Sequence, residues 1–245
     1  MSDVRILIAT PTAGRVEGRT SYSITSAVAY LSGRGARTRQ DADVYLSLQL
    51  QISSVIHSNR EFLAGCAAGG KGYLPNADLA VLQALESDFT HILFVDDDVT
   101  FEPRAVDILI GRRHPIVGVN TTFKQFPIDF MAVALDGKRR VPTTSSSEGL
   151  EEVAYMGFGL CLIETRVFRG TPKPWFLPEY IADADTYTTE DNPFFARARK
   201  AGFPCLLDHD ASKLVGHVGP YEYRWDSAEE MKKKQPMPKD ITGST

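Results

Sequence analysis

An α/β fold around a mostly parallel sheet is predicted by this sequence, and three observations predict it. Short apolar runs, Ile6–Ala9, Ile92–Val95 and Ile116–Val119, stop abruptly at proline, acidic or polar residues. Runs of that length and purity suit strands buried on both faces, as in parallel sheets. Helix-like stretches separate them, which gives the alternating strand–helix order of an α/β fold. The chain has 245 residues, 43% of them apolar and 24% charged, so it can bury a sizeable core without disulfide or metal staples.

The elements follow in order. Ile6–Ala9 is the first strand and ends at Thr10-Pro11-Thr12-Ala13-Gly14. Thr20–Leu31 reads as a helix ended by Gly33 and Gly35. Residues 44–55 alternate in part (Leu46, Leu48, Leu50, Ile52) and form a second strand. Ser58–Ala68 is helical, and Asn76-Ala77-Asp78 caps a further helix running to about Glu86. Ile92–Val95 is a strand that runs straight into Asp96-Asp97-Asp98. Pro103 opens a helix to about Ile110, and Ile116–Val119 is the next strand.

The second half changes character and predicts a smaller antiparallel region. Phe130–Leu135 and Arg139–Val141 flank Asp136-Gly137, a hairpin turn signal. Thr143–Ser147 is a polar stretch that reads as a mobile loop. Val153–Ile163 is apolar with Gly157 and Gly159, which suit close packing or close approach to a ligand. Thr189–Ala201 reads as a helix with Asn192 placed to cap it and Pro193 in its first turn. Phe203–Leu207 is a strand. Residues 1–225 are expected to form a single domain, and residues 226–245 a polar surface helix that frays into a tail.

The net charge of −4 gives no global attraction to nucleic acid or to an anionic membrane. Cys66, Cys161 and Cys205 are far apart and follow no paired spacing, so buried free thiols in a reducing compartment are expected. No run reaches the roughly 18 apolar residues of a transmembrane helix, and Met1–Arg5 lacks the order of a signal peptide. A cytoplasmic location without membrane insertion is the expectation.

The most informative segment is Ile92-Leu93-Phe94-Val95-Asp96-Asp97-Asp98. Three adjacent carboxylates repel one another, and in an open α/β sheet the carboxyl ends of strands are where ligands bind. Alternation along an extended strand puts Asp96 and Asp98 on one side and Asp97 on the other. Two carboxylates on one side suit a hard divalent cation, which in turn binds a diphosphate. The bland reading is a solvated turn with Asp98 capping the next helix. A rival is the nucleophile loop of haloacid-dehalogenase-like phosphohydrolases, which Asp96 and Asp98 also match. That motif normally lies near the start of its domain with a paired acidic motif downstream, and neither condition holds here.

Two downstream segments narrow the choice. Glu190-Asp191 stands immediately before a helix, where the positive helix end keeps a carboxylate ionised and able to accept a proton. Plain capping explains one of these acids and hardly both. His217 lies between Gly216 and Gly219 after an apolar strand, and imidazole with two carboxylates suits Mn²⁺ or a similar ion. His57, His91, His114 and His209 read as structural.

Taken together, a strand entering Thr-Pro-Thr, a mid-chain Phe-Val-Asp-Asp-Asp-Val, Gly-Phe-Gly-Leu-Cys-Leu-Ile, Glu-Asp before a helix with Arg-Lys-Ala-Gly-Phe, and a late His-Val-Gly resemble GT-A-fold glycosyltransferases. The closest similarity is to family-2-like enzymes of the compact phage and bacterial type, over about residues 4–220. The resemblance implies a Rossmann-like, mostly parallel sheet flanked by helices, with an antiparallel acceptor-side region. It implies a metal-dependent transfer of sugar from a nucleoside-diphosphate donor, a UDP-sugar foremost, to an acceptor hydroxyl. Asp96, Asp98 and His217 would hold Mn²⁺ or Mg²⁺, with Asp96 also reaching the ribose. Thr10, Pro11, Thr12, Arg15 and Arg60 would bind the nucleotide. Gly157, Phe158 and Gly159 would line the sugar and acceptor side, and Asp191 would be the base, with Glu190 as its alternative. A sugar nucleotidyltransferase is the rival within the fold, but Thr10–Arg15 is poor in glycine and basic residues. Phage relatives of this kind make DNA with modified bases a candidate acceptor, and a phage-encoded enzyme would work in the host cytoplasm.

Overall fold

The computed structural model describes residues 4–33, 44–52, 54–68 and 89–234. The helix predicted from Asn76 lies outside these residues, as does the tail beyond residue 234.

The first half delivers the predicted alternation. Strand β1 (Val4–Thr12) is followed by α1 (Gly18–Ser32), β2 (Val44–Ile52), α2 (Ile56–Ala68), β3 (His91–Val95), β4 (Val99–Phe101), α3 (Pro103–Arg112) and β5 (Ile116–Gly118). β1 continues through Thr10-Pro11-Thr12, three residues beyond the expected stop, because its parallel partner β2 pairs with it as far as Ile52. The second half adds β6 (Val133–Ala134), β7 (Leu150–Tyr155), β8 (Leu160–Glu164), α4 (Thr165–Gly170), a hairpin of β9 (Tyr180–Ile181) and β10 (Thr186–Tyr187), and α5 (Asp191–Lys200). β11 (Leu206–Asp208), α6 (His209–Ser212), β12 (Val215–Val218), β13 (Glu222–Tyr223) and α7 (Trp225–Lys234) complete it.

Among the described residues the main sheet has eight strands in the order β2-β1-β3-β8-β5-β11-β7-β6. β2, β1, β3, β5, β11 and β6 point one way, and β8 and β7 are inserted against them. The sheet is therefore mainly parallel in direction, and its central strands β1, β3 and β8 are buried on both faces. Strand alternation divides its side chains between two cores. Leu7, Ala9, Ile92 and Phe94 face Leu63 and Ala64 of α2, Val167 and Phe168 of α4, and Phe194 and Phe195 of α5. Ile6, Ile8, Leu93 and Val95 face Ile24, Ala27 and Leu31 of α1 and Ala105, Val106 and Leu109 of α3. All three cysteines are buried free thiols. Among the described residues no helix is long and apolar enough to cross a membrane.

Of three local expectations, one is met and two are sharpened or changed. The apolar stretch 153–163 falls in two strands, β7 and β8, which run in the same direction, each antiparallel to its sheet neighbours, and are joined through Met156–Gly159. The Asp136-Gly137 turn forms, with Gly137 at φ 72° and the Asp136 carboxylate accepting from the Lys138 and Arg139 amides. The stretch 143–147 is pinned: Thr143 is buried against Asn120 and His209, Lys213 donates to the carbonyls of Ser145 and Ser147, and Ser145 donates to Glu229.

Candidate active site

β1 and β3 are parallel neighbours, so Thr12 and Val95 end at the same edge of the sheet. The loops that follow them carry Thr12–Arg15 and Asp96–Asp98. The expected alternation of the three aspartates does not operate, because the strand stops at Val95 and residues 96–98 form a turn. Each residue of that turn is fastened to a different element. The Asp96 amide donates to the Gly159 carbonyl at 3.1 Å, the Asp97 carbonyl accepts from Glu17 at 2.8 Å, and the Asp98 carbonyl accepts from Val218 at 2.7 Å. The three carboxylates consequently face three directions.

Asp96 meets Arg60, which donates to it through Nη2 at 2.9 Å. The same guanidinium stands 3.4 Å from Glu190 and 4.0 Å from Asp191. Arg60 is 3% exposed, and its charged group lies 4.9 Å from the Phe158 ring centroid and 5.8 Å from that of Phe94. These rings, with Phe176, Phe194 and Phe195, pack at 4.9–5.8 Å. Burial works against the charge of Arg60, but Asp96, Asp191 and Glu190 together hold its pKa above the ordinary value. Asp191 is pushed the opposite way for a carboxylate, up to about 8, by burial first and then by Glu190 and Asp96, with Arg60 opposing.

Asp98 meets His217 and Lys124. The register of the small antiparallel sheet explains the first contact, since β12 pairs with β4 so that His217 lies opposite Val99. His217 Nε2 is 3.1 Å from Asp98 Oδ1, across 119 residues of chain, and Nδ1 lies 2.7 Å from the Thr122 carbonyl. A carbonyl can only accept, so Nδ1 carries a proton; Nε2 donates to the Asp98 carboxylate when it too is protonated, and is the nitrogen that could bind an ion when it is not. Lys124 Nζ donates to Asp98 Oδ2. Burial would raise the Asp98 pKa, but the bonds from His217 and Lys124 hold it below the ordinary range.

Asp97 faces Thr12. Its pKa is raised by burial and by Asp98 and Asp96, while the Thr12 hydroxyl favours the ionised form. That hydroxyl also accepts from the Gly14 and Arg15 amides at 3.1 Å and folds the loop after β1 into a tight turn. Gly14 sits at φ 122°, a region that favours glycine.

The remaining sequence candidates fall into place unevenly. Thr10 is fully buried and its hydroxyl has no hydrogen-bond partner, so it faces the interior rather than the loop. Pro11 lies within β1, one residue before its end, and Arg15 is exposed and paired with Glu17 at 3.3 Å. Gly157, Phe158 and Gly159 are buried. A Cβ on Gly159 would lie 2.6 Å from Thr121 Cγ2, so close packing accounts for that glycine, and Phe158 belongs to the aromatic floor under Arg60. Asn192 does not cap α5: the cap position is Glu190, without a side-chain hydrogen bond, and Asn192 Oδ1 is buried and unpartnered.

Lys124, Asn59 and Glu61 were not anticipated. Lys124 follows β5, whose carboxyl end lies on the same side of the sheet as that of β3, and this position was its available signal. Asn59 donates to the Thr12 carbonyl at 3.1 Å, and buried Glu61 accepts from the amides of Trp175 and Phe176 at 2.9 and 3.1 Å. Neither has a sequence signal beyond a helical position next to Arg60.

For a divalent cation, Asp98 and His217 are a fitting donor pair, one carboxylate with one imidazole whose other nitrogen is already held. Asp96 is turned to Arg60, and among the described residues no three His, Cys, Asp or Glu side chains are grouped closely enough to hold a metal ion. Of the three residues expected at the metal, the structure brings Asp98 and His217 together and turns Asp96 to Arg60.

No protein-family model matches the chain, and no curated protein matches it in sequence. Solved structures do. The crystal structure of A197 from STIV superposes with a TM-score of 0.52 at 16% identity, covering 88% of this chain and 86% of that one. The crystal structure of GalNAc-T7 with UDP, GalNAc and Mn²⁺ superposes with a TM-score of 0.50 at 12% identity. The fold is GT-A-like. The match to GalNAc-T7 covers 90% of this chain and 44% of that one, so the chain corresponds to less than half of that protein's length. At these identities the likeness is one of fold.

Proposed function

We propose that the protein is a metal-dependent glycosyltransferase that moves a sugar from a nucleoside-diphosphate sugar, a UDP-sugar foremost, to an acceptor hydroxyl. The observation that carries this reading is the meeting of Asp98 and His217 at the carboxyl edge of a glycosyltransferase-like sheet, with half-buried Glu190 and buried Asp191 joined to the same edge through Arg60. A diphosphate, a cation and an acceptor proton each find a group there.

Asp98 and His217 would hold Mn²⁺ or Mg²⁺, which when bound supplies charge neutralisation for the departing diphosphate. Asp96, held in place by Arg60, would reach the ribose. The turn Thr12–Arg15, folded against Asp97, would receive the nucleotide across the ends of β1 and β3. Lys124 Nζ is positioned to move from Asp98 to a phosphate oxygen. Asp191 would take the acceptor proton in its ionised form: its raised pKa makes that form a stronger base than an ordinary aspartate, and activity would rise as the pH climbs towards 8. Glu190, more exposed at the head of α5, would face the acceptor beside it.

The test is hydrolysis and transfer with a panel of nucleoside-diphosphate sugars in Mn²⁺. The expected result is slow, metal-dependent hydrolysis of one UDP-sugar that Asp98→Ala and His217→Ala reduce by about 100-fold or more. Equal hydrolysis by Asp98→Ala, or release of phosphate from simple phosphomonoesters instead, would overturn the reading.

A further inference from the structure

Residues 179–187 are exposed without interruption, and they form the short hairpin of β9 and β10. Its exposed side chains are not those of an ordinary solvent loop. Tyr180 is 54% exposed and Tyr187 67%, with their ring centroids 5.3 Å apart, and Leu177 and Ile181 add two more exposed apolar groups. The hairpin is nevertheless held firmly at its base. Thr188 donates its amide to the Glu179 carbonyl at 2.8 Å, its hydroxyl accepts from the Glu179 amide at 2.9 Å, and Arg197 of α5 pairs with the Glu179 carboxylate. Tyr180 is fixed in turn, because its hydroxyl donates to Asp185 at 2.6 Å. Two residues beyond Thr188 stand Glu190 and then Asp191, so the aromatic pair is anchored next to the candidate base.

Charge narrows what this surface can take. Residues 174–196 hold five carboxylates (Glu179, Asp183, Asp185, Glu190 and Asp191) and no lysine or arginine. A polyanion would be repelled there. Arg197, the basic residue at the base of the hairpin, is tied to the Glu179 carboxylate and the Pro174 carbonyl. Two adjoining tyrosine rings, with carboxylates and threonine hydroxyls around them, suit a ligand with apolar C–H faces and a rim of hydroxyl groups.

We propose that the β9–β10 hairpin is the acceptor platform and that it takes an uncharged oligosaccharide on Tyr180 and Tyr187. The assignment of an acceptor rests on the glycosyltransferase reading, whereas the assignment of a carbohydrate surface rests on the hairpin itself.

The experiment is calorimetric titration of the full chain with neutral hexasaccharides of glucose, mannose, xylose and N-acetylglucosamine, and with hydroxymethylated duplex DNA as the polyanion. The expected result is binding of one neutral oligosaccharide. That binding should weaken by about ten-fold or more in Tyr180→Ala/Tyr187→Ala and by less than about three-fold in Tyr180→Phe/Tyr187→Phe, which keeps the ring faces. Thermal unfolding of both variants checks that they fold. Four results would overturn the proposal: no neutral oligosaccharide binding, equal binding by the alanine variant, preferential binding of DNA, or a wild-type dimer that the alanine variant dissociates. UDP titrated into the wild type reports separately on the donor. Hexasaccharide binding lost in the alanine variant, without any UDP binding to the wild type, would keep the platform and remove the transferase.

Discussion

Asp191 stands 4.0 Å from the Arg60 guanidinium, and its Oδ1 is buried with no hydrogen-bond partner. Arg60 is closer to Asp96 and Glu190, so one buried cation serves three carboxylates and Asp191 is the least well served. An unpartnered buried carboxylate is costly when ionised and much less so when protonated.

The stability of the protein should therefore depend on pH through Asp191. Its pKa is raised from the ordinary 3.8 to about 8, so the folded state keeps a proton that the unfolded chain has released. The contribution is fully present below about pH 4 and is lost as the pH rises towards 8, with a slope approaching about 1.4 kcal/mol per pH unit inside that window. Urea unfolding of wild type and Asp191→Asn between pH 4 and 8 measures it. The difference between the two curves should change steadily across the window, and a constant difference would refute the assignment.

Removing Arg60 leaves Asp96, Glu190 and Asp191 facing one another with their shared cation gone. Arg60→Ala should cost about 3–5 kcal/mol, the range for breaking a buried ion pair. Arg60→Lys should recover only part of this, since a single ammonium cannot span the three carboxylates that the planar fork reaches. Denaturant midpoints of the two variants decide the matter; a lysine variant as stable as wild type would mean that the fork geometry is unimportant.

Lys124 competes for Asp98. If the two-residue donor set holds a divalent cation, Lys124→Ala should tighten apparent Mn²⁺ binding by about two- to five-fold, the equivalent of a partly exposed ion pair. The readout is the Mn²⁺ concentration giving half-maximal donor hydrolysis. A weaker dependence on Mn²⁺ in wild type than in the variant would instead assign Lys124 a share of the cation's work.

Gly159 is required by packing. A methyl there meets Thr121 Cγ2 at 2.6 Å and Val99 Cγ2 at 3.1 Å, so Gly159→Ala should destabilise by about 1–3 kcal/mol. Adding Thr121→Ser removes the nearer methyl and should restore about half of the loss. Absence of any rescue in the double-mutant cycle would show that the strain lies in the backbone.

Fold and site were legible in the sequence to different degrees. The buried strands could be read because their pattern is local: four apolar residues and a stop identify Ile6–Ala9 and Ile92–Val95 without knowledge of their neighbours. The nearness of Asp96, Asp98, Glu190, Asp191 and His217 to one edge was also anticipated, from order and resemblance. Their individual directions were not. The three aspartates diverge because residues 96–98 turn and are fastened to Gly159, Glu17 and Val218, contacts made across the chain. Asn192 shows the same limit, since a residue well suited to capping was displaced by where the chain enters α5. Phe158, which the resemblance places beside the sugar, packs under the Arg60 guanidinium, a contact that no local pattern announces.

The pairing of β12 with β4 has a consequence for biosynthesis. A chain leaving the ribosome presents its acidic turn when residue 98 emerges, but His217 follows 119 residues later. Throughout that interval the small antiparallel ribbon cannot close, and the Asp98 carboxylate waits without its imidazole. Contacts so distant in sequence form late, so a nascent or truncated chain can have its parallel core in place while the histidine half of its cation grip is still missing.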